Sequence, residues 1–226
     1  MANGPPRPTR NRVVRLAGDA APERAQPDTR VRILKAAKEI FFRDGFADTN
    51  LDEVATRAEV GKGTLYRHFE SKVELYVAVL AVGGAAFDDA MRAATEDGES
   101  AIERLRSVGR FYRRYWSERP EYFSIFSVLH FQDVIGHLSP ALLDEVREIW
   151  ERPLRRLEQV IADGVRSGEL RPCDAWVMAN VIWQSGNAAV AALVTPRRER
   201  VIDCSPEALY DSLLDVLLWG LDARAR

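Results

Sequence analysis

The amino-acid sequence predicts an all-α fold, on three observations. Apolar residues recur at intervals of three and four along most of the chain, which is the period of a helix buried on one face. Many of these segments begin at Asp, Asn or Ser, whose side chains cap helix N-termini. No segment alternates apolar and polar residues as a half-buried strand does, and no internal repeat is present. A length of 226 residues allows one large domain or two small ones.

The chain opens with a polar segment and a first helix. Residues 1–27 contain five of the eleven prolines and five arginines without apolar periodicity, so we expect a disordered arm. This arm is either a solvated tail or a basic segment that touches DNA phosphate. Asp28 can cap the helix that follows, and Gly45 is a natural stop for it.

Two short helices follow, joined by a tight turn that contains glycine. Asn50 and Glu53 form a capping-box-like start for the first helix, and the second must bury Leu65 and Phe69 against it. In a basic neighbourhood this pattern is typical of a helix-turn-helix, whose second helix enters the DNA major groove. Gly63 leaves room there for the DNA backbone. The outer face of the second helix carries the side chains that can donate to phosphate or base edges, which are Lys62, Thr64, Tyr66, Arg67 and His68.

The rest of the chain is predicted to be helical. A longer helix opens at Ser71 and contains Gly83 and Gly84, which mark either a joint between domains or a tight helix crossing. Pro153 should kink the helix that follows Ser139, because its ring removes a backbone donor. The remaining helices are predicted from Ser100 to about Trp116, from Pro120, from Pro172 to Val194 and from Ser205 to Leu221.

The last two helices carry longer apolar stripes than one subunit can cover. We expect Pro172–Val194 and Ser205–Leu221 to pair with their two-fold copies in a four-helix bundle, which would make the protein a homodimer. Such a dimer sets two recognition helices about 34 Å apart, as a palindromic operator requires. The alternative is that the stripes only complete the core of the monomer.

Composition and charge exclude several classes of protein. Two cysteines, Cys173 and Cys204, exclude a disulfide-rich scaffold; we expect them to be unpaired, with a thiol redox switch as the alternative. We also expect a cytoplasmic protein, without a signal peptide and without an uncharged run long enough to span a membrane. Residues 1–80 carry 14 Lys and Arg against 11 Asp and Glu, whereas residues 81–226 carry 18 against 23. The basic N-terminal part favours a contact with nucleic acid.

Residues 49–72 carry a resemblance to a known family. Their sequence, TNLDEVATRAEVGKGTLYRHFESK, resembles the DNA-binding signature of the TetR/AcrR family of bacterial regulators. The resemblance is detailed over roughly residues 28–88, and the later helices agree with the family in number and length. Two positions depart from the pattern: Glu59 stands where the family often has a small residue such as glycine, and Gly61 where serine is common. Both lie beside the recognition helix.

The resemblance implies a ligand-responsive DNA-binding regulator and not an enzyme. It implies a three-helix DNA-binding domain over 28–88 and a helical ligand-binding and dimerisation domain over 89–226. We expect a repressor that a small molecule releases from a palindromic operator on double-stranded DNA, with no cofactor and no metal. The DNA-binding positions are expected to be Thr49, Asn50, Lys62, Gly63, Thr64, Tyr66, Arg67, His68 and Lys72.

The candidate effector contacts are aromatic, adaptable or polar residues on inner helices. Few charges lie among them, so the effector is expected to be an apolar or aromatic small molecule. Trp150 is of particular interest, since it lies one turn before Pro153. The candidates are Phe87, Met91, Phe111, Tyr115, Phe126, His130, Trp150, Trp183, Gln184 and Asn187.

Two catalytic readings compete with the regulator. The segment GKGT at 61–64 lacks the upstream glycine, the following Ser or Thr and the preceding strand of a phosphate-binding loop, so we discard that reading. A metal or acid/base site could use His130, Asp133 and His137. The two histidines are seven residues apart, too far for one tetrahedral metal on a straight helix, so this alternative is kept only as the weaker one.

Overall fold

The computed structural model describes residues 28–123, 138–194 and 203–225. These residues form eight α-helices of seven residues or more and no β-strand, which confirms the predicted all-α class. A helical turn at 120–123 leads into the first gap. In chain order the helices are α1 Thr29–Asp48, α2 Leu51–Arg57, α3 Lys62–His68, α4 Lys72–Glu96, α5 Ala101–Ser117, α6 Pro140–Ser167, α7 Ala175–Val194 and α8 Pro206–Leu221.

The first three helices form the unit that the sequence predicts. Asp28 caps α1 by accepting from the Arg30 backbone N–H at 3.2 Å, and Asn50 caps α2 by accepting from the Asp52 N–H at 2.8 Å. The regular turns of α1 are interrupted at Gly45 as predicted, where φ is 77° and ψ is 176°, and further helical residues continue to Asp48 beyond this kink. A core of Ile33, Ala37, Ile40, Phe41, Val54, Ala55, Leu65 and Phe69 holds the three helices together.

Helix α4 joins this unit to the rest of the chain. Its 25 residues run without a break through residue 88, where the domain boundary is predicted. One end packs against α1 and the other against α5 and α6. A Cβ atom on Gly84 would lie 2.5 Å from Cγ2 of Ile149 in α6, so at this glycine the structure has the tight crossing. A methyl group at this position would have to displace the Ile149 side chain, so the close approach of the two helices favours glycine there.

Helices α5 to α8 pack around one another behind the DNA-binding unit. Ser100 and Glu103 form a complete capping box for α5, and Ser139 with Pro140 starts α6. Helix α6 continues through Pro153 as a single helix of 28 residues and ends at Gly168, whose φ of 78° is left-handed. Helix α6 packs on α4, α5 and α7, and α8 packs on α5 and α7.

Helix α7 corrects one expectation from the sequence. Its 20 residues, Ala175–Val194, contain no charged side chain, so the chain does hold an uncharged run long enough to cross a bilayer. Length and composition alone do not distinguish such a span from a helix that packs within a protein or between subunits. Within the structure, 28% of the residues in its most apolar stretch of 18 are buried.

Candidate DNA interface and effector cavity

Helix α3 presents one face to solvent and buries the other. Leu65 and Phe69 are 0% and 1% exposed, whereas Tyr66 is 42% exposed. Lys62, Gly63, Arg67 and His68 are also exposed, and Thr64 is half-buried. Of the expected recognition residues on α3, five are exposed and Thr64 is half-buried; we call residues 62–64 and 66–68 together the α3 face.

Arg32 of α1 holds the turn between α2 and α3. Its Nη1 donates to the backbone oxygen of Ala58 at 3.0 Å and to that of Glu59 at 3.4 Å. Glu59 itself has φ 54°, in the left-handed region that disfavours residues with a Cβ. A residue with a Cβ atom is therefore strained at this turn, whereas the glycine that the family often has there would not be. Sequence reasoning missed Arg32, because its two acceptors lie 26 and 27 residues further along the chain.

Three polar side chains of the α3 face, those of Lys62, Thr64 and Arg67, are paired with neighbours in this structure. The Lys62 ammonium lies 2.7 Å from Oδ1 of Asp52, and this hydrogen bond raises the pKa of Lys62. Arg67 Nη2 donates to Oγ1 of Thr64 at 3.0 Å. Lys62 is exposed, so DNA phosphate can replace Asp52 as its partner.

Two of the expected DNA contacts are engaged in holding the fold. Thr49 is 5% exposed and its hydroxyl donates to the Gly45 backbone oxygen at 2.6 Å, which leaves it no accessible donor for DNA. The Lys72 ammonium donates to the Ala47 backbone oxygen at 2.7 Å and lies 5.1 Å from the centre of the Phe46 ring. Partial burial lowers the pKa of Lys72. Lys72 therefore anchors the end of α1, whatever it adds at the DNA.

Gly61 and Gly63 face open space. A Cβ atom at either position would have no neighbour within 4 Å. Packing within the protein therefore does not require a glycine at position 63. Close approach of another molecule, such as the DNA backbone, would require one.

A small, partly open apolar cavity of ≈ 40 Å³ lies between helices α5, α6, α7 and α8. Ligand sites for small molecules generally have 300–1,000 Å³, so an effector would have to move these helices apart. Among the described effector candidates, only Trp183 lines the cavity. Its walls are formed by Leu105, Val108, Gly109, Tyr112, Leu157, Ile182, Trp183, Gly186, Tyr210, Leu213, Leu214, Leu217 and Leu218.

An aromatic cluster lies beside the cavity. The Phe87 ring centre is 5.1 to 5.9 Å from the ring centres of Phe111, Tyr112, Tyr115, Trp116 and Trp183. Trp150 joins the cluster through Trp183, at 6.3 Å. The structure thus brings five of the predicted aromatic candidates together. Sequence reasoning missed Tyr112 and Trp116, each one residue beyond a predicted aromatic on α5.

The polar and sulfur-containing candidates separate into different environments. Asn187 Oδ1 accepts a hydrogen bond from the Tyr112 hydroxyl, while its Nδ2 is buried without a hydrogen-bond partner. Burial raises the pKa of Tyr112, which keeps this hydroxyl protonated. Met91 is fully buried. Gln184 is exposed on the outer face of α7, so it does not share the cluster with Trp183.

Several predictions fall outside the described residues or concern other chemistry. Phe126, His130, Asp133 and His137 all lie in the gap between 123 and 138. Within the described ranges, no three His, Cys, Asp or Glu side chains gather as metal ligands would. Cys173 and Cys204 are both free thiols, and burial raises the pKa of the Cys173 thiol.

The outer face of α7 and α8 is apolar and exposed. We call this surface the α7–α8 face; its exposed apolar residues are Val177, Val181, Leu209, Val216 and Trp219. Leu213 and Leu217 belong to the apolar stripe that the sequence predicts for α8; both are half-buried and line the cavity between α5 and α8.

The α3 face and the helical domain behind it define the class of the molecule: a helix-turn-helix transcriptional regulator. A family model described as "Bacterial regulatory proteins, tetR family" matches residues 33–79. A second, described as "Tetracyclin repressor-like, C-terminal domain", matches residues 98–191. The chain belongs to the TetR family of bacterial transcriptional regulators, as its resemblance at residues 49–72 indicates.

Individual relatives agree with this assignment. The chain is 27% identical over 159 residues to YhgD, an uncharacterised HTH-type transcriptional regulator of Bacillus subtilis, covering 69% of this chain and 78% of YhgD. It is 49% identical over 53 residues to the HTH-type transcriptional activator FasR of Mycolicibacterium smegmatis, which is 24% of each chain.

Solved structures share the fold along most of their length. A TetR-family regulator from Pectobacterium atrosepticum is 25% identical with a TM-score of 0.65, and the match covers 88% of this chain and 96% of that one. FadR of Bacillus subtilis, solved with stearoyl-CoA, is 20% identical with a TM-score of 0.66, covering 84% of this chain and 98% of FadR.

Proposed function

We propose that this regulator is a homodimeric, cytoplasmic repressor without enzymatic activity, which an apolar or aromatic effector releases from a palindromic operator. The observation that carries the proposal is the α3 face, where polar side chains stand exposed over a fully buried Leu65. The relatives NicS of Pseudomonas putida and KstR of Rhodococcus jostii are named repressors, which supports this mode of action.

Gly63→Ala tests the DNA interface with little risk to folding. A Cβ atom there has no neighbour within 4 Å, and alanine favours a helix by about 1 kcal/mol over glycine. We expect the variant to keep its helical content and stability but to bind at least about tenfold more weakly to an operator selected from random duplexes, a loss of about 1.4 kcal/mol. Gly61→Ser is the matched control, since it adds a capping side chain at an equally open position. Unchanged operator affinity in Gly63→Ala would contradict the assignment.

Asp52→Asn tests the part that Lys62 takes. The substitution releases Lys62 from its partner at 2.7 Å and removes a negative charge beside the DNA. We therefore expect tighter operator binding, whereas Lys62→Met should weaken binding and lower its salt dependence. Equal salt dependence in Lys62→Met and the wild type would remove Lys62 from the interface.

The dimer is proposed to form through the α7–α8 face, in accord with the last two predicted helices. Val181 and Val216 are 42% and 66% exposed, so Val181→Glu with Val216→Glu should fold normally and sediment as a monomer that no longer binds the operator. Leu143→Glu, at a residue 40% exposed on α6, is the control and should remain dimeric. A double variant that still sediments as a dimer would place the interface elsewhere.

The effector is proposed to enter between α5 and α8. Support comes from the apolar cavity walls and from Asn187, whose buried Nδ2 offers a hydrogen-bond donor beside Tyr112. FadR shows that this fold can hold a ligand. Native mass spectrometry of gently purified protein should reveal a copurified apolar molecule, and that molecule should change tryptophan fluorescence through Trp183. Trp150 lies behind Trp183, with 6.3 Å between the ring centres, so Trp150→Ala should lose the operator response but keep DNA binding; a full response in this variant would show that the response does not depend on this ring pair.

A further inference from the structure

Among the described residues, three exposed large apolar side chains belong neither to the α3 face nor to the α7–α8 face: Leu143 on α6, and two that line a common groove. Val31 on α1 is 54% exposed and Val82 on α4 is 59% exposed. Both line one groove of ≈ 670 Å³ between α1, α4 and the end of α5. We call it the interdomain groove, because α1 belongs to the DNA-binding unit and α5 to the helical domain. No described residue lines both this groove and the cavity between α5 and α8.

Regular stripes of the two long helices form the groove. Helix α1 contributes Val31, Leu34, Lys35 and Lys38, which are spaced i, i+3, i+4 and i+7 and so lie on one side of the helix. Helix α4 contributes a stripe of small and apolar residues that faces them. Gly83, Ala86 and Ala90 keep the floor open, since none of them carries a long side chain. Among the described residues, the lining consists of Val31, Leu34, Lys35, Lys38, Val79, Val82, Gly83, Ala86, Ala90, Tyr115, Arg119 and Tyr122.

The charges that line this apolar floor are all positive. Lys35, Lys38 and Arg119 line the groove, and no Asp or Glu does so among the described residues. The Lys38 ammonium lies 4.6 Å from the ring centre of Tyr122, and Lys35 and Lys38 make no ion pair within the described ranges. Arg119 lies over Tyr115 at 4.5 Å and pairs with the exposed Glu118. Cations held against ring faces keep N–H donors for an anion.

We propose that the interdomain groove binds an amphipathic organic anion, whose apolar tail covers the α4 floor and whose head group pairs with Lys35, Lys38 and Arg119. The groove volume lies within the range of small-molecule sites. Covering Val31 and Val82 removes apolar surface from water, and the cations meet a carboxylate or phosphate head with charge-assisted hydrogen bonds. This site is separate from the effector cavity proposed above and does not depend on it.

DNA phosphate is the other anion that the lysines could meet. A phosphate backbone would leave Val31, Val82 and the ring of Tyr122 uncovered, because it has no apolar part to place on them. An amphipathic anion satisfies both the charges and the floor with one molecule, and the structure therefore favours it.

Dodecanoate is the probe for the test, kept below its micelle concentration and titrated calorimetrically into the full chain. Dodecanol has the same tail without the charge, and acetate has the same head without the tail. We expect dodecanoate to bind at least about tenfold more tightly than dodecanol, and acetate not to bind in the same range. Lys35→Met with Lys38→Met should weaken dodecanoate about tenfold and leave dodecanol unchanged, because the apolar stems remain. Lys35→Arg with Lys38→Arg should retain binding.

Two further variants locate the bound probe. Val82→Asp puts an opposing charge in the groove at an exposed position and should abolish dodecanoate binding without loss of helical content. Gly186→Val narrows the cavity between α5 and α8 and should leave dodecanoate binding unchanged. Absence of dodecanoate binding, insensitivity to the lysine-to-methionine change, or loss of binding in Gly186→Val alone would each overturn the proposal. Loss of operator affinity in the Lys35→Met/Lys38→Met variant, with dodecanoate binding intact, would assign these lysines to DNA and overturn it as well.

Discussion

Replacing Glu59 by glycine should stabilise the protein although it removes a side chain. Glu59 has φ 54°, and a left-handed conformation costs an L-residue about 1–2 kcal/mol. Glycine avoids this cost but loses about 0.5–1 kcal/mol in additional chain entropy on folding. The ion pair with Arg32 spans 3.9 Å with the Glu59 side chain 86% exposed, so its loss matters little. The net expectation is a gain of about 0.5–1 kcal/mol.

Denaturation at a fixed protein concentration measures this gain. A domain of this size shifts its Tm by about 2–4 °C per kcal/mol, so Glu59→Gly should melt about 1–4 °C above the wild type. Glu59→Gln is the matched control, because it removes the charge but keeps the Cβ atom and therefore the strain. If Glu59→Gly melted at or below Glu59→Gln, the left-handed backbone at this turn would not be a source of strain.

Two other substitutions test the packing and the capping of the helical domain. Gly84→Ala should destabilise the protein by about 1–3 kcal/mol through overpacking, because its Cβ atom would lie 2.5 Å from Ile149. In a denaturant titration, the Gly84→Ala/Ile149→Ala double variant should recover part of that loss. Strictly additive losses would refute the close crossing of α4 and α6 at Gly84. Glu103 accepts backbone hydrogen bonds from Ser100 at 3.0 Å and from Glu99 at 2.9 Å, and these lower its pKa below 4.5. The resulting stability is present above the unfolded pKa and is lost as pH falls through the folded pKa, so the Tm difference between wild type and Glu103→Gln should be positive at pH 7 and vanish in acid. A difference that persists in strong acid would contradict the charge-based reasoning.

Helix starts and the recognition helix could be predicted because their causes are local. Asn50, Ser71, Ser100 and Ser139 each accept a backbone N–H two or three residues ahead, so the sequence already contains both partners. The outward face of α3 follows in the same way from the buried Leu65.

Side-chain partners from distant segments could not be predicted. The anchoring of Lys72 by Ala47 and the turn held by Arg32 join residues 25 and 26 positions apart. Helix α7 is apolar on nearly all sides, so periodicity does not identify its inner face; Gln184 therefore lies outside although it was expected inside. The same ambiguity applies to Leu213, which lines the cavity and not the α7–α8 face.

The unbroken helix α4 has a mechanical consequence. Its closest crossing with α6 lies at Gly84, twelve residues or about 18 Å from the end at Lys72 that carries the DNA-binding unit. With Gly84 as the fulcrum, a tilt of about 10° would displace that end by about 3 Å, close to the 3.4 Å rise of one DNA base step. In a two-fold dimer both ends would move, so their separation could change by nearly two base steps. In the dimeric repressor proposed above, a tilt of this size at Gly84 would therefore be enough to change the fit to the operator.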